Sequence, residues 1–300
     1  MGHLLVHIPA RPRLRIAACA FLFAVPLAGC AQERVSAPRE DGQSTPLIVY
    51  RASGQSSACA PLAIISHGAG GSENGYRYLA EFMAHSGFTT IVMGHRESGF
   101  EALTADMRRD GILPGLRNLV ADPNAESARL LDVTAALKWA DSQCRAPFRV
   151  LLGHSMGAET VMLESGAQNV IHVASPPADR DRFDAYVAMS PEGPGIIFPD
   201  HAWGAIHKPV LVLTGTRDQS LEGGPEARQI PWRGMPGTAG HCQWLGVIDG
   251  ASHMNFAGSG IGADKAEPVI TQTIASFLSG VRAQSCTLPE PVPGLKLQAK

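Results

Sequence analysis

Three hundred residues, 45% of them hydrophobic and 17% charged, describe a globular chain with enough apolar material for one large core. The formal net charge of -2 and a pI near 6.6, with no long basic run, exclude the electrostatic footprint of a nucleic-acid binder. None of the six cysteines stands in C-x-x-C spacing, which excludes the common zinc and dithiol redox motifs.

The chain opens with Arg11, Arg13 and Arg15 ahead of the apolar run 16–28, and no acidic residue precedes Glu33. That is the pattern of a secretory leader. The run is shorter than the ~20 residues a spanning helix needs, so residues 1–29 are expected to be a cleaved signal peptide. They end in Leu27-Ala28-Gly29-Cys30, which resembles the lipobox of bacterial lipoproteins. The resemblance implies a lipid on Cys30 and a chain anchored in the bacterial cell envelope, facing the periplasm or carried on the outer membrane. An ordinary leader, with Cys30 incidental, is the alternative. Setting Cys19 and Cys30 aside leaves Cys59, Cys144, Cys242 and Cys286, an even number suited to disulfides in an oxidising compartment. Pairing of Cys59 with Cys144 is favoured because each lies just upstream of a central strand and the two strands are expected neighbours. Cys242 with Cys286 would pin the C-terminal tail; free buried thiols are the alternative.

Residues 30–46 are polar, with Ser36, Pro38, Ser44 and Pro46, and predict a flexible tether, followed by a single domain over 47–300. Residues 47–50 predict an outer strand. The continuous apolar run 61–66 has the character of a strand covered on both faces, and it breaks into the glycine-rich turn 67–71. A short helix should follow, with Ser72 as its cap and Tyr76, Leu79, Ala80 and Met83 on one face. Another buried strand is predicted at 88–93. The charged stretch from there to Asn124 reads as a long excursion above the sheet. Leu130, Val133, Leu137 and Trp139 recur at helical spacing within 126–142. Strand-like runs follow at 150–152, 183–189, 209–214 and 245–248, and a final helix at 266–280 carries Pro268 in its first turn, where proline is tolerated. This alternation predicts an α/β fold, one mostly parallel central sheet with helices on both faces.

The run 150–152 ends in Gly153-His154-Ser155-Met156-Gly157, and a helix-like segment begins at once. A serine on so tight a strand-to-helix turn needs neighbours without a Cβ, which Gly153 and Gly157 supply. A hydroxyl is a weak nucleophile at neutral pH and requires a base held by a third group. His253 is the best placed histidine, because the strand before it feeds it toward the sheet edge where Ser155 lies. Asp218 stands just beyond the end of the preceding strand and is the first choice for the acid, with Glu192 and Asp249 as alternatives. Parallel strands bring their carboxyl ends to one edge, so Ser155, Asp218 and His253 can converge there. Charge that develops on a substrate oxygen needs two fixed donors; the N–H groups of Met156 and Ala69 are the candidates. The glycine-rich turn is a poor dinucleotide fingerprint, since Glu73 takes the place of the last glycine of G-x-G-x-x-G and no Walker lysine follows. His154 reads as packing. Tyr76, Met254 and Phe256 are candidate pocket residues or plain core.

The segments S-H-G-A-G-G (66–71), G-H-S-M-G-A (153–158), G-T-R-D (215–218) and G-A-S-H-M-N-F (250–256) together resemble the α/β-hydrolase superfamily. Within it they are most similar to the dienelactone-hydrolase-like branch that includes bacterial polyester hydrolases and platelet-activating-factor acetylhydrolase relatives. The similarity covers about residues 47–280 and implies an α/β-hydrolase fold and cleavage of carboxylic esters, including lipid or polyester esters, through an acyl-enzyme, without metal or organic cofactor. Dienelactone hydrolases proper use a cysteine nucleophile; Ser155 departs from that, so their lactone substrate does not carry over. Amide cleavage, perhydrolysis, or a catalytically silent envelope protein that binds a partner on the same fold are the alternatives.

Overall fold

A strand that is apolar at every position is stable only with cover on both faces, and the central strands of this chain meet that condition. The computed structural model describes residues 1–2, 32–54, 59–174 and 182–300. In chain order the elements are β1 (Gln32–Pro38), β2 (Ser44–Tyr50), β3 (Leu62–Ser66), α1 (Arg77–His85), β4 (Thr89–Met93), α2 (Phe100–Asp110), α3 (Ile112–Val120), α4 (Pro123–Gln143), β5 (Arg149–His154), α5 (Met156–Ser165), β6 (Ala185–Met189), β7 (Val210–Arg217), α6 (Ile230–Gly234), β8 (Gln243–Ser252), α7 (Ala263–Arg282) and β9 (Leu295–Ala299). The strands form one sheet in the order β1-β2-β4-β3-β5-β6-β7-β8-β9. From β4 to β8 the pairing is parallel. β1, β2 and β9 run antiparallel to their neighbours.

Successive residues of one strand face opposite layers. Leu62 and Ile64 of β3 join a core with α4 and α5, whereas Ala63 and Ile65 join a second core with α1 and α7. The expected disulfides are both present, Cys59–Cys144 at a Cα separation of 5.7 Å and Cys242–Cys286 at 5.1 Å. The strands that follow Cys59 and Cys144, β3 and β5, are indeed neighbours.

Four expectations need correction. The predicted signal peptide 1–29 and Cys30 lie outside the described residues, apart from Met1 and Gly2, but the tether predicted over 30–46 does not hold from Gln32 onward. That segment forms β1 and enters β2, paired residue by residue from Gln32↔Tyr50 to Pro38↔Ser44. The hairpin is fastened by Arg39, only 7% exposed, whose guanidinium meets Asp41, Glu97 and Asp132. Its polarity belongs to an edge strand, not to a flexible linker. The second correction is the first helix, which starts at Arg77 after Tyr76 in a left-handed conformation, so Ser72 does not cap it. Third, the charged excursion is a helical hairpin, α2 and α3. Fourth, α7 begins three residues earlier than predicted, which puts Pro268 inside the helix and not in its first turn.

α4 packs three of its charged residues inward. Glu126, Arg129 and Asp132 are all buried on it. Among the described residues neither carboxylate oxygen of Glu126 has a hydrogen-bond partner, and burial pushes its pKa up to about 8 against the pull of Arg129. A raised carboxyl pKa gives stability that is complete below the ordinary value, near 4.5, and is lost as pH rises through 8. Glu126→Gln removes this dependence. The unfolding free energy of Glu126→Gln relative to the native chain, measured by urea denaturation, should therefore rise in favour of the variant from pH 5 to pH 8.5, by an amount on the order of a few kcal/mol. A pH-independent difference would contradict the assignment.

Candidate active site

β5 ends at His154 and α5 begins at Met156, which leaves Ser155 alone in the turn at φ 54° and ψ -127°. Such a conformation is costly for a serine and persists only where the surroundings impose it. Here they do, because a Cβ at Gly153 would collide with the Gly157 carbonyl and one at Gly157 with the Ser66 carbonyl. The two glycines let β5, α5 and β3 close on one another. At Gly68 an added Cβ would lie 3.0 Å from the Ser155 Cβ, so the glycine-rich turn abuts the serine directly.

The N–H groups of that turn are mostly engaged. Gly68 donates to the Tyr76 hydroxyl (3.2 Å), Gly70 to the Ser98 carbonyl (2.8 Å) and Gly71 to the Gly68 carbonyl (3.1 Å). The Ala69 N–H has no partner among the described residues. Met156 is the first residue of α5, where an N–H has no intrahelical acceptor. Across the turn, Ser155 fixes its own backbone by donating to the Met189 carbonyl (3.0 Å).

β7 and β8 bring the other two groups to this edge. Asp218 is fully buried, and its Oδ1 lies 3.0 Å from His253 Nδ1. Its Oδ2 accepts from Ser190 Oγ (2.5 Å) and Thr214 Oγ1 (2.8 Å). Arg228 Nε approaches Oδ1 to 2.9 Å, close enough for an ion pair but without the alignment of a hydrogen bond. Burial pushes the carboxyl upward, yet the hydrogen bond to His253, the Arg228 charge and the Ser190 hydroxyl together hold it below its ordinary range. The His253 side chain is 29% exposed, which leaves its far nitrogen open to the surface. Among the described residues no hydrogen bond joins Ser155 Oγ to the ring.

The alternative acids are committed elsewhere. Glu192 accepts from the Leu221 N–H and pairs with Arg228, and exposed Asp249 accepts from Thr216. Of the candidate pocket residues, Tyr76 and Phe256 are buried at 6% and 0% exposure, so neither is an open pocket wall. The Tyr76 hydroxyl and the Phe256 ring both pack on His154. Met254 alone faces out, half exposed beside His253. Leu103 of α2 covers Gly70, and Arg117 of α3 holds Glu222, so the helical hairpin reaches from the glycine-rich turn to the loop beyond Asp218.

Sequence reasoning missed Ser190, Thr214 and Arg228. Thr214 and Ser190 had a signal, since both stand where a parallel strand ends. Arg228 had none, because it comes from the short helical turn Ala227–Gln229 in a loop of no periodicity. His67, His95 and Asp132 form a further buried cluster under the turn, with His95 between Ser66 (2.9 Å) and Asp132 (2.8 Å). All three are at most 2% exposed, which makes the cluster a support for β3 and its turn rather than a place for substrate.

No family model and no curated protein matches the sequence. Solved structures do. A protein assigned as a dienelactone hydrolase from Klebsiella pneumoniae superposes with a TM-score of 0.60 at 18% identity, over 83% of this chain and 98% of that one. The Pyrococcus furiosus esterase Pf2001 gives 0.54 at 17% identity, over 83% and 92%. Est1E from Butyrivibrio proteoclasticus gives 0.54 at 16% identity, over 82% and 99%. With its sheet order, its crossovers and these likenesses taken together, the chain has the α/β-hydrolase fold.

Proposed function

We propose that the protein is a serine hydrolase that cleaves carboxylic esters through an acyl-enzyme. The observation that carries this reading is the meeting at one sheet edge of a strained, partly exposed serine with a histidine whose Nδ1 lies 3.0 Å from a fully buried carboxylate. Ser155 Oγ attacks the ester carbonyl while His253 Nε2 takes its proton. Asp218 holds the ring with Nδ1–H toward it and stabilises the imidazolium that forms. The N–H groups of Ala69 and Met156 receive the developing oxyanion. His253 then returns the proton to the departing alcohol, and a water activated by the same nitrogen releases the acid. Esterases and a dienelactone hydrolase among the structural neighbours support this class of reaction. They leave acyl and alcohol groups open.

The same reading places the chain in the cell envelope with a lipid on Cys30. It is supported by the basic and apolar leader, by Leu27-Ala28-Gly29-Cys30, and by two disulfides, which persist in oxidising compartments.

Ser155→Ala should lower kcat on p-nitrophenyl acetate by about 10³-fold or more and abolish labelling by a fluorophosphonate probe, with the Tm little changed. Retained labelling would overturn the nucleophile. Metabolic incorporation of a palmitate analogue should disappear in Cys30→Ala, and label that persists would refute the anchor.

A further inference from the structure

His154 is the last residue of β5, next to Ser155, and its ring is buried. Nε2 lies 3.0 Å from the backbone carbonyl of His253, and Nδ1 lies 2.8 Å from the Tyr76 hydroxyl. The Tyr76 hydroxyl in turn accepts the Gly68 N–H. Donors and acceptors along this chain are fixed by elementary chemistry. A carbonyl only accepts, so Nε2 carries the proton. Burial holds the ring pKa well below the ordinary histidine value, so the ring has one proton and Nδ1 is an acceptor. The phenol O–H therefore donates to Nδ1, and its lone pair is free for Gly68. Every member is satisfied, which is the condition under which a buried polar network orders its surroundings.

The two ends of this chain adjoin the oxyanion donor and the base of the proposed mechanism. Gly68 immediately precedes Ala69, the donor to the oxyanion. The His253 carbonyl belongs to the residue whose ring is the base. The His154 ring also lies 4.6 Å, centroid to centroid, from the His253 ring. A second tie runs beside it, from the Tyr78 hydroxyl to the Phe256 carbonyl (2.9 Å), and fixes the far end of the His253–Ala257 turn. Tyr76 and Tyr78 flank the start of α1, so one short segment holds both the oxyanion turn and the base-bearing turn.

We propose that His154 and Tyr76 are positioning residues that set the oxyanion donor and the catalytic imidazole relative to Ser155 through one continuous hydrogen-bond relay. The inference rests on the serine-hydrolase reading. Neither residue touches substrate; each acts on the rate through the groups it holds. A displacement of an ångström in a catalytic group can cost about 10²-fold.

The test compares the native chain with Tyr76→Phe, His154→Leu, His154→Gln and the double variant Tyr76→Phe/His154→Leu, on p-nitrophenyl acetate, with Tm measured alongside. Tyr76→Phe and His154→Leu should each lower kcat about tenfold or more while KM stays within about twofold. The double variant should be no slower than the slower single, because either change alone breaks the relay. His154→Gln, whose amide can still donate toward the His253 carbonyl, should recover part of the loss. Tyr76→Phe keeps the ring that fills the core, so it carries the test if His154→Leu does not fold. Native kcat in Tyr76→Phe, or single losses that multiply in the double variant, would overturn the relay and leave the hydrolase reading standing. A native chain that turns over no ester and takes no fluorophosphonate would remove both.

Discussion

A single buried guanidinium holds together the edge of this molecule at which Ser155 stands. Arg129, fully buried on α4, donates to Thr160 on α5, to Ser98 in the turn before α2, to Ser66 at the end of β3 and to the His67 carbonyl in the glycine-rich turn. Burial disfavours the charge and depresses the pKa; Glu126, Asp132 and Glu159 oppose that. An isolated ion in such a place would cost several kcal/mol, so the site is stable only because its donors are nearly all used. The consequence is geometric. The turn that carries Ala69 cannot move without α4, α5 and the start of the helical hairpin.

Around that anchor the site divides into a rigid half and an open half. The rigid half is steric, with Gly153 and Gly157 permitting a contact that any Cβ would forbid. It also contains Asp218, whose carboxylate oxygens meet Ser190, Thr214, His253 and Arg228. In the proposed mechanism, charge preorganised in this way would need no rearrangement during the reaction. The open half consists of the exposed flank of His253 and of Met254, which is half exposed.

What could be read from the chain itself follows from which interactions are local. The central strands announce themselves because burial on both faces leaves a run with no polar position, as in 61–65. The Ser155 turn does so because steric need forces glycine at two fixed offsets. Asp218 and His253 were legible from strand ends alone, since parallel pairing carries them to a common edge. β1 and β9 were not, because an edge strand is defined by its partner and shows little pattern of its own. The hairpin of α2 and α3 escaped for a related reason: α2 has no buried residue, so its helical period carries a weak apolar signal. His154 was legible as buried and illegible as a link, since its partners stand 78 and 99 positions away.

The direction of β1 bears on how an anchored molecule would sit. Gln32 pairs with Tyr50, which pairs with Thr90 near the beginning of β4, whereas Leu47 pairs with Met93 at its end. The chain thus enters the sheet at the rim where the parallel strands start, and Ser155 lies at the rim where they finish. With a lipid on Cys30, only Ala31 would intervene before the first strand, too little for a leash. The domain would then stand on the bilayer by its foot, with Ser155 at the far pole, turned to the aqueous side and away from the leaflet beneath.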